Sequence, residues 1–197
     1  MDGIDGDITR NARVVKSVLH VGCGVKNPAK LHKQFQSSEW QEVRLDINPD
    51  VEPDIVASMT DMHAVDDAQF DAIWSSHNLE HLETTDVPTA LKGFVRVLRP
   101  GGFLLTTLPD LQKVAELVAQ DKLDEPAYVS RAGPIAPLDM IFGHRASIAR
   151  GNKFMAQRTG FTAKTLQSAL ESEGFERVRV KREGFDLWAV AHKPPHG

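Results

Sequence analysis

The sequence predicts an α/β protein built on a doubly wound, mostly parallel sheet with helices on both faces. Two observations carry this. Short apolar runs of strand length recur along the chain at 17–24, 42–48, 54–59, 70–76 and 103–109. Amphipathic helical periodicity separates them at 86–98, and returns at 162–173 between the fifth strand and the last two. Alternation of this kind is what crossover-connected strands produce.

The first strand, SVLHVGCG, is a short apolar run stopped by two glycines, as a buried strand entering a tight turn would be. Asn27 and Pro28 then open a helix as N-cap and first helical residue, with Leu31 and Phe35 on its apolar face. EVRLDIN and DIVASM are the second and third strands, and FDAIWSS the fourth. Val87, Ala90, Leu91, Phe94, Val95 and Leu98 recur at helical spacing, with Asp86 as cap and Pro100-Gly101-Gly102 as the stop. FLLTTLP is apolar enough to be a strand buried on both faces. Thr162 caps a last helix that Phe161 staples onto Leu166 and Gly174 ends. RVRVK and DLWAVAH close the chain as strands.

Length and composition narrow the function classes. A chain of 197 residues accommodates one sizeable core, and a single domain over 1–197 is expected. Residues 111–160 break the rhythm and are expected to be an insertion that acts as a substrate-binding lid. Lysine and arginine total 23 against 27 acids, so no basic surplus points to nucleic acid. Cys23 is the only cysteine, which excludes an intramolecular disulfide and a cysteine-based zinc cluster. No apolar stretch has signal-peptide or membrane-span length, so a cytoplasmic protein is expected.

Candidate site chemistry falls beyond the strand ends, where open α/β sheets bind ligands. Gly22-Cys23-Gly24 lets a ligand approach the backbone. Asp46 ends the second strand at a distance from Gly24 that suits a carboxylate on ribose hydroxyls. Asp61 and Met62 follow the third strand, where a carboxylate and a backbone N–H could read an adenine edge. Each alone also reads as ordinary structure: a strand-ending glycine, a loop acid, a turn cap. After the fourth strand comes HNLEH, with His77 and His81 four apart and Glu80 between them. That is the H-x-x-E-H spacing of inverted zinc proteases, which on a helix would put both imidazoles on one face. A zinc enzyme also needs a third ligand, and nothing in the sequence marks one. No metal is expected.

In order and spacing, VLHVGCG, LDIN, SMTDMHAV, FDAIWSSHNLEHL and VLRPGGFLLTTLPD resemble the successive motifs of class I S-adenosylmethionine-dependent methyltransferases. The resemblance covers about 14–110 and resumes over 161–192. It implies a Rossmann-like sheet with an antiparallel C-terminal strand, and S-adenosyl-L-methionine as cofactor. By it, Gly22 and Gly24 would line the methionyl part, Asp46 would hold the ribose, and Asp61 with Met62 the adenine, with His20, Cys23 and Ile47 also in the cofactor site. Ser75, Ser76 and His77 would border the sulfonium and the acceptor, and HNLEHL would shape the pocket rather than bind metal. The chain departs from the family at His20, where an acid commonly stands two before the first glycine. It also lacks the third glycine of the dinucleotide fingerprint, which counts against a nicotinamide enzyme.

A general base is needed only where the acceptor must lose a proton, and His77, then His144, are the candidates. Either could instead be a structural histidine. Between Pro126 and Gly160, Arg131, Arg145, Arg150, Lys153 and Arg158 stand against Asp139 alone. That excess suits a basic lid for a small or glycan-linked, anionic acceptor, or equally a solvated loop pinned by its apolar residues. The competing readings are a methyltransferase of RNA or protein, and a cofactor-binding module without transfer activity.

Overall fold

The computed structural model describes residues 15–130 and 133–195. Five parallel strands form most of its main sheet: β1 (Lys16–Val21), β2 (Trp40–Asp46), β3 (Ile55–Val56), β4 (Phe70–Ser76) and β5 (Leu98–Pro109). A hairpin of β6 (Tyr128–Ser130) and β7 (Gly133–Ile135) stands apart. The C-terminal strands β8 (Glu176–Glu183) and β9 (Asp186–His192) complete the sheet in the order β3-β2-β1-β4-β5-β9-β8. β9 runs antiparallel to both neighbours, as expected. The order reverses between β1 and β4, and the crevice beyond their carboxyl ends is where such a sheet binds ligands.

One face of the sheet packs on α1 (Val87–Val97) and α5 (Ala163–Ser172). Leu91 and Phe94 of α1 and Leu166 and Leu170 of α5 are fully buried against Leu19, Ile73 and Leu104. Side chains of this size contribute roughly 1.5–3 kcal/mol each when buried. Thr162 caps α5 through the Thr165 amide, and Phe161 and Leu166 meet in the core. Asp86 makes no side-chain cap on α1, contrary to expectation; its carbonyl accepts from Ala90 instead. The helix also ends earlier than its stop signal, because Leu98 is already extended and Pro100–Gly102 lie within β5.

The opposite face departs from the sequence reading. The helix expected after β1 is two separate 3-10 turns, Pro28–Lys30 and Lys33–Phe35. Leu31 between them is extended, and His32 caps the second turn with its ring nitrogen. Phe35 still reaches the core, where it packs with Val18, Trp74 and Leu105. The remaining elements are α2 (Leu111–Val118), α3 (Pro137–Phe142) and α4 (Arg145–Ala149), with 3-10 turns at Pro49–Val51, Leu79–His81 and Lys153–Met155. Among the described residues no helix is long and apolar enough to cross a membrane.

Candidate functional site

At the crevice, Gly22 and Gly24 both adopt positive φ, +63° and +58°. A Cβ on Gly22 would overlap the Asn78 carboxamide, so the turn requires glycine for its conformation and its space. Asn78 Nδ2 donates to the carbonyls of Val21 (2.9 Å) and Ser76 (3.0 Å) and so ties β1 to β4. The buried Arg44 guanidinium donates to the Gly24 carbonyl (2.6 Å) and to those of Val51 and Glu52, fixing the glycine turn to the next loop.

Asp46 ends β2 half-buried. Its Oδ2 accepts from the Gly24 amide (2.7 Å) and its Oδ1 from the Asn48 amide (2.9 Å). A carboxylate has about four acceptor sites, so two backbone bonds leave capacity toward a ligand. A cavity of about 1030 Å³ opens over these residues. Of the expected site residues, His20, Gly22, Gly24, Asp46, Ile47, Ser76 and His77 line it.

The others lie elsewhere. Met62 is buried in the core, its methyl against Gly93 of α1. Asp61 points outward and pairs with His63 (2.6 Å), which holds its carboxyl below the usual aspartate range. The turn from Ser58 to Asp61 instead presents Ala57, Ser58 and Met59 to the cavity, beside Ile47 and Val51. Cys23 faces a smaller cavity of about 430 Å³. There burial raises its thiol pKa, so it behaves as a packing residue. Ser75 is fully buried and accepts from Asn78. His144 begins α4 and does not line the cavity.

The HNLEH stretch is not helical. His77 has φ +54°, uncommon for a residue with a side chain, and Leu79–His81 form one 3-10 turn. Its two histidines diverge. His81 Nδ1 donates to the Ala156 carbonyl (3.0 Å). His77 places Nδ1 at 3.2 Å from Glu80 Oε1 and Nε2 at 3.6 Å from Asp186 Oδ1. Burial opposes charging of His77, but the two carboxylates outweigh it and raise its pKa above 6.5. Burial likewise raises the pKa of Asp186, with His77 pulling the other way. Among the described residues, no group of three or more histidine, cysteine or acidic side chains is placed to hold a metal ion.

The far wall holds residues that the sequence reading did not select. Trp74, Trp188 and His32 form an aromatic cluster, with ring centroids 5.3–6.0 Å apart. Asn152–Ala156 and Arg158, from the 111–160 segment, complete the lining. Two of the five basic residues expected there are internally paired, Arg145 with Asp139 and Asp124 and Arg158 with Glu83. Arg150 does not line the cavity, and Arg131 lies outside the described residues.

A site with a glycine turn, an acidic strand end and an apolar slot between β2 and β3 fits a nucleoside-type cofactor. Residues 19–106 match the family described as a methyltransferase domain. No curated protein matches the sequence. The fold is similar to that of an S-adenosylmethionine-dependent methyltransferase from Methanosarcina mazei. Identity is 17%, the TM-score is 0.61, and 92% of this chain and 93% of that one are covered. It is also similar to 1,6-didemethyltoxoflavin-N1-methyltransferase of Burkholderia thailandensis, solved with 1,6-didemethyltoxoflavin and S-adenosylhomocysteine. There identity is 17% and the TM-score 0.57, over 91% of this chain and 71% of that one. An Archaeoglobus fulgidus methyltransferase aligns at 14% identity and a TM-score of 0.58, over 92% and 87%. The family match spans the first five strands, and across nearly the whole chain the protein has the fold of S-adenosylmethionine-dependent methyltransferases.

Proposed function

We propose that the protein is a methyltransferase that uses S-adenosyl-L-methionine and transfers its methyl group to a small or glycan-linked anionic acceptor, with His77 as general base. The observation that carries this reading is the pair Lys33 and Lys153. Both line the cavity and neither is in an ion pair among the described residues, although the Glu183 carboxylate, paired with Lys181, also feels Lys33. Lys33 comes from the turn after β1 and Lys153 from the 111–160 segment, so an anion held between them would lie under that segment as a lid. Charge-assisted hydrogen bonds to phosphate or carboxylate are roughly twice as strong as neutral ones. The wall formed by Trp74, Trp188 and His32 suits a ring, and a similar enzyme takes a small heterocycle, 1,6-didemethyltoxoflavin.

When bound, the cofactor supplies an electrophilic methyl group on a sulfonium. Asp46 would hold the ribose hydroxyls with its free lone pairs, and Ile47, Ala57 and Met59 would border the adenine. Gly22, Gly24 and Ser76 border the reacting end. Alignment of the nucleophile with the methyl carbon is the main contribution, and it can supply several kcal/mol. His77 Nε2 takes the proton that the acceptor loses, and Glu80 and Asp186 stabilise the imidazolium that forms.

The test is methyl transfer to phosphorylated or nucleotide-linked sugars against their uncharged counterparts. Preference for the anionic series, with a higher KM in Lys33→Met and Lys153→Met, supports the reading. Equal rates on neutral acceptors, or KM unmoved in both variants, would sink it. Steep loss of activity with salt on an RNA substrate would favour a nucleic-acid acceptor instead.

A further inference from the structure

Resting on the cofactor reading above, we propose that His20 and Lys30 clamp the amino-acid end of S-adenosyl-L-methionine, with Glu42 as the positioning residue that makes His20 an acceptor for its ammonium group. His20 is 4% exposed and lines the cavity beside Gly22. Its Nδ1 lies 2.6 Å from Oε1 of Glu42 on the neighbouring strand β2. An ionised carboxylate only accepts, so the Nδ1 of a neutral ring must carry the proton and donate. Nε2 is then left with a lone pair, and the one side-chain hydrogen bond of His20 among the described residues is that of Nδ1. The charged groups acting on His20 are Glu42, Arg44 and Lys30. Burial, helped by the two cations, outweighs the Glu42 carboxylate and pulls the histidine pKa down, which keeps the ring neutral.

A neutral imidazole bonded to a carboxylate carries one negative charge in total. The pair therefore supplies the charge of an acid at this position, with the formal charge one strand away and the acceptor on a residue that lines the cavity. Lys30 provides the other end. Its Nζ stands where a Cβ on Gly24 would be, and it lines the same cavity without an ion-pair partner among the described residues. An acceptor and a cation thus flank the glycine turn, which is the pattern an α-ammonium and an α-carboxylate on one carbon require.

The alternative is that His20 and Glu42 merely separate the main cavity from the smaller one, which both also line. Calorimetric titration with S-adenosylhomocysteine and with 5′-methylthioadenosine separates the two, because the second ligand lacks the amino-acid group. Glu42→Gln and Lys30→Met should each weaken S-adenosylhomocysteine by about tenfold or more and leave methylthioadenosine within about twofold. His20→Asp combined with Glu42→Gln puts the carboxylate at the site directly and should restore the first ligand. Equal losses on both ligands, unchanged S-adenosylhomocysteine affinity, or no rescue in the double variant would overturn the proposal.

Discussion

Nδ1 of His77 stands 3.2 Å from Oε1 of Glu80, a carboxylate whose side chain is only 2% exposed. The approach is off the hydrogen-bond line, and neither oxygen of Glu80 has a hydrogen-bond partner among the described residues. A buried charge with one ionic neighbour stabilises the charged form of that neighbour strongly. This is why His77, whose side chain is 44% exposed, has a pKa above 6.5 despite the desolvation it undergoes in the crevice. As a base it must be neutral, so kcat/KM should rise with pH along a limb placed above 6.5. In Glu80→Gln, burial acts with only Asp186 opposing it, and the limb should move to lower pH. The raised pKa also contributes stability below the unfolded value that is lost as pH rises through the folded one. Glu80→Gln should therefore narrow the stability difference between acid and neutral pH. A pH-rate profile of the variant superimposable on that of the wild type would remove Glu80 from this role.

Asp46 receives the Gly24 and Asn48 amides and keeps lone pairs for a ribose. Asp46→Asn retains the shape and loses the charge. It should weaken S-adenosylhomocysteine by about 1.5–3 kcal/mol, the range for a hydrogen bond to a charged group. Calorimetry reads this directly, and unchanged affinity would refute the ribose contact.

Much of this arrangement was legible in the sequence, and what was missed has local causes. Glycines after an apolar run and an acid ending the next strand mark the crevice, because strand lengths and the sheet's switch point fix where those ends meet. The segment 27–36 carries a cap, a proline and two apolar residues at i and i+4, yet it turns twice instead of forming a helix. The Gln36 carboxamide donates to the Pro28 and Leu31 carbonyls, and each turn is only three residues long. Strand β3 has two residues, too few for its alternation to tell that Ala57–Met59 rather than Asp61 and Met62 face the cavity. Asp186 and Trp188 reach the site from the far end of the chain through the antiparallel pairing of β9 with β5. No spacing in the sequence encodes that meeting with His77. Asn78 was visible in SSHN, but its bond to Val21 exists only once β1 and β4 are neighbours.

Gly22 and Gly184 have nearly the same positive φ, +63° and +62°, in different surroundings. A Cβ at Gly184 meets nothing within 4 Å, whereas at Gly22 it meets Asn78. Gly184→Ala should cost about 1–2 kcal/mol of left-handed strain and leave cofactor affinity unchanged. Gly22→Ala should cost more in urea unfolding and also weaken S-adenosylhomocysteine, because Asn78 must release the β1–β4 junction. Equal unfolding costs for the two variants would show that Asn78 yields freely.

Asp110 and Arg182 join the far end of β5 to β8. Arg182 Nε donates to Asp110 Oδ2 at 2.5 Å, and the Asp110 carboxylate is almost fully buried. Its other oxygen caps α2 by accepting from Gln112 and Lys113, and its amide donates to the Phe185 carbonyl beside Asp186. Removal of Arg182 leaves a buried charge with only the cap to hold it, whereas removal of Asp110 leaves a guanidinium that is 41% exposed, can hydrate and still faces Glu116 at 3.9 Å. Arg182→Met should therefore destabilise by about 3 kcal/mol, near the lower end of the range for a broken buried pair because the cap persists. Asp110→Asn keeps the cap oxygen and removes the buried charge. Combined with Arg182→Met, it should recover part of that loss in urea unfolding. A double variant less stable than Arg182→Met alone would mean that the carboxylate contributes through the cap and not through the ion pair.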